Sequence, residues 1–208
     1  DYSIIDNDGI GSTGPGGVGA ADGSNNLELW LRSDKGVFTD DGCTSSASGG
    51  NGVGCWADQS GNGNNATQTG AQPTYDASTT QNGKPTIDFT SSNSEFLEHP
   101  ATGLSEGNNT IFVLANTRTK GSRQGLFAIA PSTGNNNSPA TARTIRFDVD
   151  GNDNFEFFAE QGGGTAMGGA ALSANTAYVL SSDFSGGSVD VNVDGANDGS
   201  DPNATPES

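Results

Sequence analysis

The sequence predicts an all-β chain, folded as an antiparallel β-sandwich. Three observations lead there. Short runs of alternating apolar and polar residues recur roughly every 10–20 residues. The connections between them are rich in Gly, Asn and Asp, with 32 Gly in 208 residues. No stretch longer than about two helical turns carries the apolar stripe of an amphipathic helix. Apolar residues make up only 31% of the chain, a fraction that suits disorder when spread thin. Here they are gathered into runs, and the length suffices for one all-β domain with a core.

The elements follow in order. Residues 1–9, with Ile4, Ile5, Asp6, Asn7 and Asp8, read as the last strand of a preceding module and its acidic exit. This stretch resembles the ending of Calx-β and related immunoglobulin-like repeats of bacterial surface proteins. That resemblance implies a linker calcium near Asp6 and Asp8; as plain residues the two are solvated acids. Residues 10–24 are a Gly-rich linker. The segment 27–32 predicts a strand, with Leu27, Leu29 and Leu31 on one face and Glu28, Trp30 and Arg32 on the other. A wholly solvent-facing Trp30 is disfavoured, so both faces are expected to be partly covered. Residues 34–55 form an excursion, and 73–75 a short extended piece. Further strands are predicted over 83–89, 94–100, 110–116 and 126–130. The run 110–116 is the most apolar and is expected to be central. Residues 144–148 and 155–159 flank an Asp-Gly turn and predict a hairpin. Residues 178–184 and 188–194, joined through 185–187, predict another.

Charge narrows the function. The net charge is −17, with only 8 Lys and Arg, which excludes a nucleic-acid footprint and opposes binding to anionic membranes. Of 25 acids, 18 are Asp, a bias that suits calcium loops and equally an acidic surface that keeps a chain soluble. No stretch reaches the length of a membrane span and no signal peptide is visible. The first residue is not Met, so the chain reads as a fragment of a longer one.

The densest chemistry lies in residues 56–67. Trp56 and Asp58 lead into Ser60, Gly61, Asn62, Gly63 and Asn64. Asp58, Asn62 and Asn64 offer the oxygens of a hard-cation cage, calcium above all. The same residue types also build a tight surface turn with no ligand. Asp148 and Asp150 precede Gly151 with the alternation of a partial calcium loop, though the terminal bidentate Glu is missing; turn chemistry is the other reading. Asp190, Asn192 and Asp194 share one strand face, which a solvated surface explains. Trp56 and Tyr75 flank the Gly/Asn loop and are the candidates to stack on a sugar ring, against a role in covering the core. Cys43 and Cys55 flank a Ser/Gly-rich loop, and no His or Met accompanies them as a soft-metal site would need. They predict a disulfide, hence an oxidising compartment: periplasm, cell surface or outside the cell.

Catalysis finds no support. His99 is the only histidine and precedes Pro100. No Gly-x-Ser-x-Gly elbow surrounds a Ser. Glu156 and Glu160 lack the intervening acids of the glycosidase pattern Glu-x-Asp-x-x-Glu. No catalytic residue is expected.

Taken together, Leu29, Trp30 and Leu31, the acid-Ser-Gly-Asn-Gly-Asn turn from Asp58 to Asn64, Gly83, Lys84 and Pro85 with Ile87 and Phe89, and Phe112, Val113 and Leu114 resemble the LamG-like jelly-roll modules of bacterial extracellular proteins. These belong to the concanavalin A-like sandwich group. The resemblance spans roughly residues 15–195 and sets the module at 25–195. It implies two stacked antiparallel sheets, calcium as cofactor, and a role in binding glycans or proteins or in spacing other domains. One departure is expected: 196–208 reads as a polar tail or the start of an inserted domain, leaving the sandwich short of its last strands and with an unpaired edge. With the Calx-β-like start, the resemblance implies a module of a large bacterial adhesin of the RTX type. Its partners would be neighbouring domains of the same chain and a glycan or protein on a host or neighbouring cell. The alternatives are a lectin-type carbohydrate-binding module and a non-catalytic accessory module of a secreted polysaccharide-degrading enzyme.

Overall fold

The computed structural model describes residues 14–15, 27–99, 108–129, 145–159, 164–185 and 187–202. The protein is all-β, built from antiparallel sheets. It divides into two compact units, Asp1–Ala101 and Thr102–Ser208. Among the described residues no helix is long and apolar enough to cross a membrane.

The first unit is made of short pieces. Strands β1 (Val37–Phe38), β2 (Cys55–Trp56) and β3 (Ala66–Thr67) form a three-stranded sheet. Strands β4 (Thr74–Gln81) and β5 (Lys84–Asp88) form a hairpin. Its two turn residues, Asn82 and Gly83, have φ of 49° and 76°, the left-handed pair that matches the twist of the flanking strands. The buried apolar side chains described here are few and small: Val37, Val53, Cys55, Ala66 and Pro73. Such a core needs other fastenings.

The second unit is a two-sheet β-sandwich. One sheet has the order β10-β9-β8-β7, from Gly164–Ala171, Asn154–Ala159, Ile145–Val149 and Gln124–Ile129. The other has the order β13-β12-β11-β6, from Ala196–Asp201, Ser188–Val193, Ala177–Ser185 and Asn109–Asn116. Inward residues of both sheets make one core: Val149, Phe155 and Phe157 against Leu180, Phe184, Val189 and Val191, with Leu172. The rings of Phe157 and Phe184 stack across it, centroids 6.2 Å apart. The two sheets also meet along β10 and β13, where the Asp198 carboxylate accepts the Ala170 N–H at 3.2 Å.

Both predicted hairpins are present, β8–β9 and β11–β12. Four expectations change. Residues 27–32 form no strand; only Leu31 and Arg32 make isolated bridges, because loop side chains take the backbone groups a ladder would use. Of the described residues 94–99 in the predicted strand 94–100, only Glu98 is bridged, to Thr67, after a 3-10 turn at Ser91–Asn93. The apolar run of β6 lies at the end of its sheet, with alternate residues exposed. Residues 196–201, expected to be polar tail, are strand β13 paired to β12; an edge strand carries little apolar pattern to reveal it.

Candidate functional site

The loop over 56–67 closes on itself and on the segment before β1. Gly61 and Gly63 adopt φ of 95° and 77°, which glycine takes without steric cost. The turn brings four donors to one carboxylate. Oδ1 of Asp58 accepts the N–H groups of Trp30 at 2.9 Å and Ser60 at 2.8 Å. Its Oδ2 accepts the Ser60 hydroxyl at 2.6 Å and the Asn64 N–H at 3.0 Å. Asn65 takes the Asp58 N–H on its Oδ1 at 2.9 Å. Asn62 donates its amide to the Leu27 carbonyl at 2.9 Å, and Asn64 to the Glu28 carbonyl at 2.7 Å. Gln59 N–H reaches the Trp30 carbonyl at 2.8 Å. The bonds to the Asp58 carboxylate are charge-assisted and the stronger ones; the Trp30 N–H among them, with the neutral bonds of Asn62, Asn64 and Gln59, ties this segment to the loop.

The fastening continues outward. Arg32 lies over the Trp30 ring, 5.2 Å from its centroid, and forms a two-pronged pair with Asp34 at 3.0 and 3.1 Å. Lys84 of β5 adds a second cation to Asp34 at 2.8 Å. Hydrogen bonds from Arg32 and Lys84 hold the Asp34 carboxyl well below the usual carboxylate range. Cys43 and Cys55 are joined by a disulfide, with Cα atoms 5.4 Å apart. The Asn65 amide lies 3.6 Å from the Cys43 sulfur, so the disulfide adjoins the Asp58 loop. His99 Nδ1 lies 3.1 Å from the Asn65 carbonyl oxygen.

The aromatic candidates are built into this framework. Trp56 is half-buried, and its indole N–H donates to the Arg32 carbonyl at 2.7 Å. Tyr75 is half-buried in β4 opposite Ile87, and its backbone pairs with Asn51 at 2.8 Å.

The second cluster is on the β8–β9 hairpin. The register sets Asp148 directly opposite Glu156. Their neighbours Val149, Phe155 and Phe157 point into the core, so by strand alternation the two acids share the other face. Both are nonetheless buried. One Arg123 nitrogen lies 2.7 Å from Asp148 Oδ2 and 2.7 Å from Glu156 Oε2. Burial works against the guanidinium's charge, but the bonds to Asp148 and Glu156 outweigh it and raise its pKa above the ordinary value. Asp150 caps the turn: its Oδ1 accepts the N–H groups of Asn152 and Asn154, each at 2.8 Å. Burial opposes its ionisation too, yet those bonds leave its carboxyl below its usual range. The sequence reading missed Arg123 and Glu156 as partners of Asp148. The observed pairing comes from a three-residue loop, 151–153, between Asp150 and Asn154; the even loop over 149–154 that the alternation suggests would pair 148 with 155, so the residue pattern did not reveal this pairing.

The candidate metal ligands thus fall into three places. Asp58, Asn62 and Asn64 meet in the first unit; Asp148 and Asp150 stand two residues apart in the second; Asp6 and Asp8 lie outside the described residues. At Asp58 a cation would have to displace four protein donors, and at Asp148 the Arg123 guanidinium already supplies the positive charge. In this arrangement the two loops do not fit a calcium ion. Among the described residues, no group of three or more His, Cys, Asp and Glu is placed to hold a metal.

The fold and these clusters define a disulfide-stapled all-β protein carrying a two-sheet sandwich. Comparison with protein-family models, with curated proteins and with solved structures finds no match to this chain.

Proposed function

We propose that this chain is an extracellular, non-catalytic module of a bacterial surface adhesin, a calcium-stabilised scaffold that spaces or carries neighbouring domains of the same long chain. The observation that carries the extracellular part is the Cys43–Cys55 disulfide, set in a unit where the buried apolar residues among those described are few and small, a core that benefits from such a staple. The acidic composition suits a surface held in salty water. Calcium belongs to this reading through Asp6 and Asp8, on the resemblance of residues 1–9 to a Calx-β ending. The LamG-like part of the reading rests on the sequence resemblance and agrees with an antiparallel sandwich.

Scaffold is favoured over lectin by the employment of Trp56 and Tyr75, which are half-buried and tied to the backbone around them. A sugar platform needs an exposed aromatic face beside polar groups. A glycan array probed with the full chain in calcium is the test. The scaffold reading expects a blank array. A specific glycan hit that Trp56→Ala abolishes, with circular dichroism unchanged, would replace it with the lectin reading.

A further inference from the structure

The outer face of the sheet β13-β12-β11-β6 turns an apolar patch to solvent. On β6, Ile111, Val113 and Ala115 pack on the core, so Phe112 and Leu114 point away from it. They are 71% and 58% exposed. Val179 stands directly opposite Leu114 on β11 and is 45% exposed. Single exposed apolar residues are ordinary; three large ones adjoining in register form a patch that marks an interaction surface.

The same face is acidic. Asp183 and Asp190 are opposite each other on β11 and β12, and both are exposed. Thr110, next across the sheet, has its hydroxyl 3.4 Å from Asp183. Asp194 reaches back to the patch, its Oδ1 accepting the Val179 N–H at 2.9 Å. Of the four Asp in these strands, Asp198 turns toward β10 and Asp201 pairs with the core residue Val189, so the outer face carries Asp183 and Asp190, and none of the four strands contains Lys or Arg. Like charges directly opposite destabilise a sheet, and a cationic neighbour relieves that repulsion.

We propose that this face docks a basic, apolar segment of a partner protein, one that lays apolar side chains on Phe112, Leu114 and Val179 and sets Lys or Arg against Asp183 and Asp190. Charge complementarity selects that occupant. A second copy of this chain would bring the same acidic row and a net charge of −17 against it, and a nucleic acid would be repelled by the same field. The inference stands on this sheet alone and holds whether or not the chain belongs to an adhesin.

The test titrates a fluorescent synthetic peptide of alternating Lys and Phe into the full chain. Peptides of alternating Lys and Ser, and of alternating Glu and Phe, run beside it. Saturable binding is expected for the Lys–Phe peptide alone, weakening as salt rises. It should fall by about tenfold or more, a change of about 1.4 kcal/mol, in Phe112→Ser with Leu114→Ser and in Asp183→Asn with Asp190→Asn. These residues are exposed, and circular dichroism checks that the variants keep the fold. Equal binding of the Lys–Ser peptide, or undiminished binding by either double variant, overturns the proposal in favour of general attraction to an acidic chain. A wild-type dimer in sedimentation velocity that Phe112→Ser with Leu114→Ser abolishes assigns the face to a second copy and overturns it too. Calcium binding that disappears in Asp183→Asn with Asp190→Asn assigns the acid row to a metal, with the same consequence.

Discussion

Replacing Arg123 by Gln removes the cation that lies between Asp148 and Glu156. Those carboxylates face each other across β8 and β9, Asp148 fully buried and Glu156 nearly so, each 2.7 Å from one guanidinium nitrogen. Breaking a buried ion pair by removing one partner costs about 3–5 kcal/mol. The Arg123 side chain is 45% exposed, so water already screens part of its attraction, and about 2–3 kcal/mol is the expected loss. In a chain of this size that lowers the melting temperature by about 5–10 °C. The loss must depend on pH. Without the cation, two buried carboxylates repel, and the folded state prefers to hold a proton between them. The variant is therefore least stable at neutral pH, where both carboxylates are charged, and recovers in acid, where the repulsion is relieved. Thermal unfolding followed by circular dichroism between pH 4 and 8 measures this. Adding Glu156→Gln to Arg123→Gln should restore most of the loss, since a neutral amide removes one of the two charges. A variant that melts within about 2 °C of the wild type at pH 7, or a loss that is the same at every pH, refutes the reasoning.

Other outcomes follow from the same contacts. Cys43→Ser with Cys55→Ser should destabilise the first unit by about 3 kcal/mol, from the loop that the disulfide closes across a separation of 12 residues; thiol titration of the unfolded wild type should gain two thiols on reduction, and finding both free beforehand sinks the idea. Gly54→Ala should cost about 1–3 kcal/mol, because a Cβ there would stand 2.5 Å from the Thr39 carbonyl oxygen, in backbone that has nowhere to move; an unchanged denaturant midpoint would count against that packing. Asp34→Asn should cost about 1 kcal/mol at neutral pH. Since Asp34's folded pKa is depressed by Arg32 and Lys84, its contribution is complete above about pH 4 and lost as pH falls below that, so wild type and variant should converge in acid. A gap that persists in acid contradicts the assignment.

Some elements were legible because local chemistry and tertiary demand agree. The β8–β9 hairpin has alternation on both arms and Asp150 and Gly151 in the turn, and β11–β12 alternates Val and Leu with Ser and Asp. Others were hidden by composition. β10 is GTAMGGAA and β13 is ANDGSD; neither has intrinsic strand preference, and both become strands through pairing with β9 and β12. Residues 27–32 mislead in the opposite sense. Their alternation is that of a strand, yet the Trp30 N–H goes to Asp58 and the carbonyls of Leu27 and Glu28 go to Asn62 and Asn64. In β6, apolar residues on both faces suggested a central place, whereas Phe112 and Leu114 are turned to solvent. The candidate loop was found from its residue types, but those types cannot say whether an oxygen faces a cation or an N–H. That depends on which backbone groups the fold brings within reach of Asp58.

Calorimetric titration of calcium into the metal-free full chain, beside Asp58→Asn and Asp6→Asn with Asp8→Asn, separates the hydrogen-bonded loop from the proposed cation site. Asp58→Asn is predicted to melt earlier than the wild type while keeping its calcium stoichiometry, and Asp6→Asn with Asp8→Asn to lose a calcium site. Calcium heat that vanishes in Asp58→Asn with circular dichroism unchanged, or is absent from the wild type, would contradict this division.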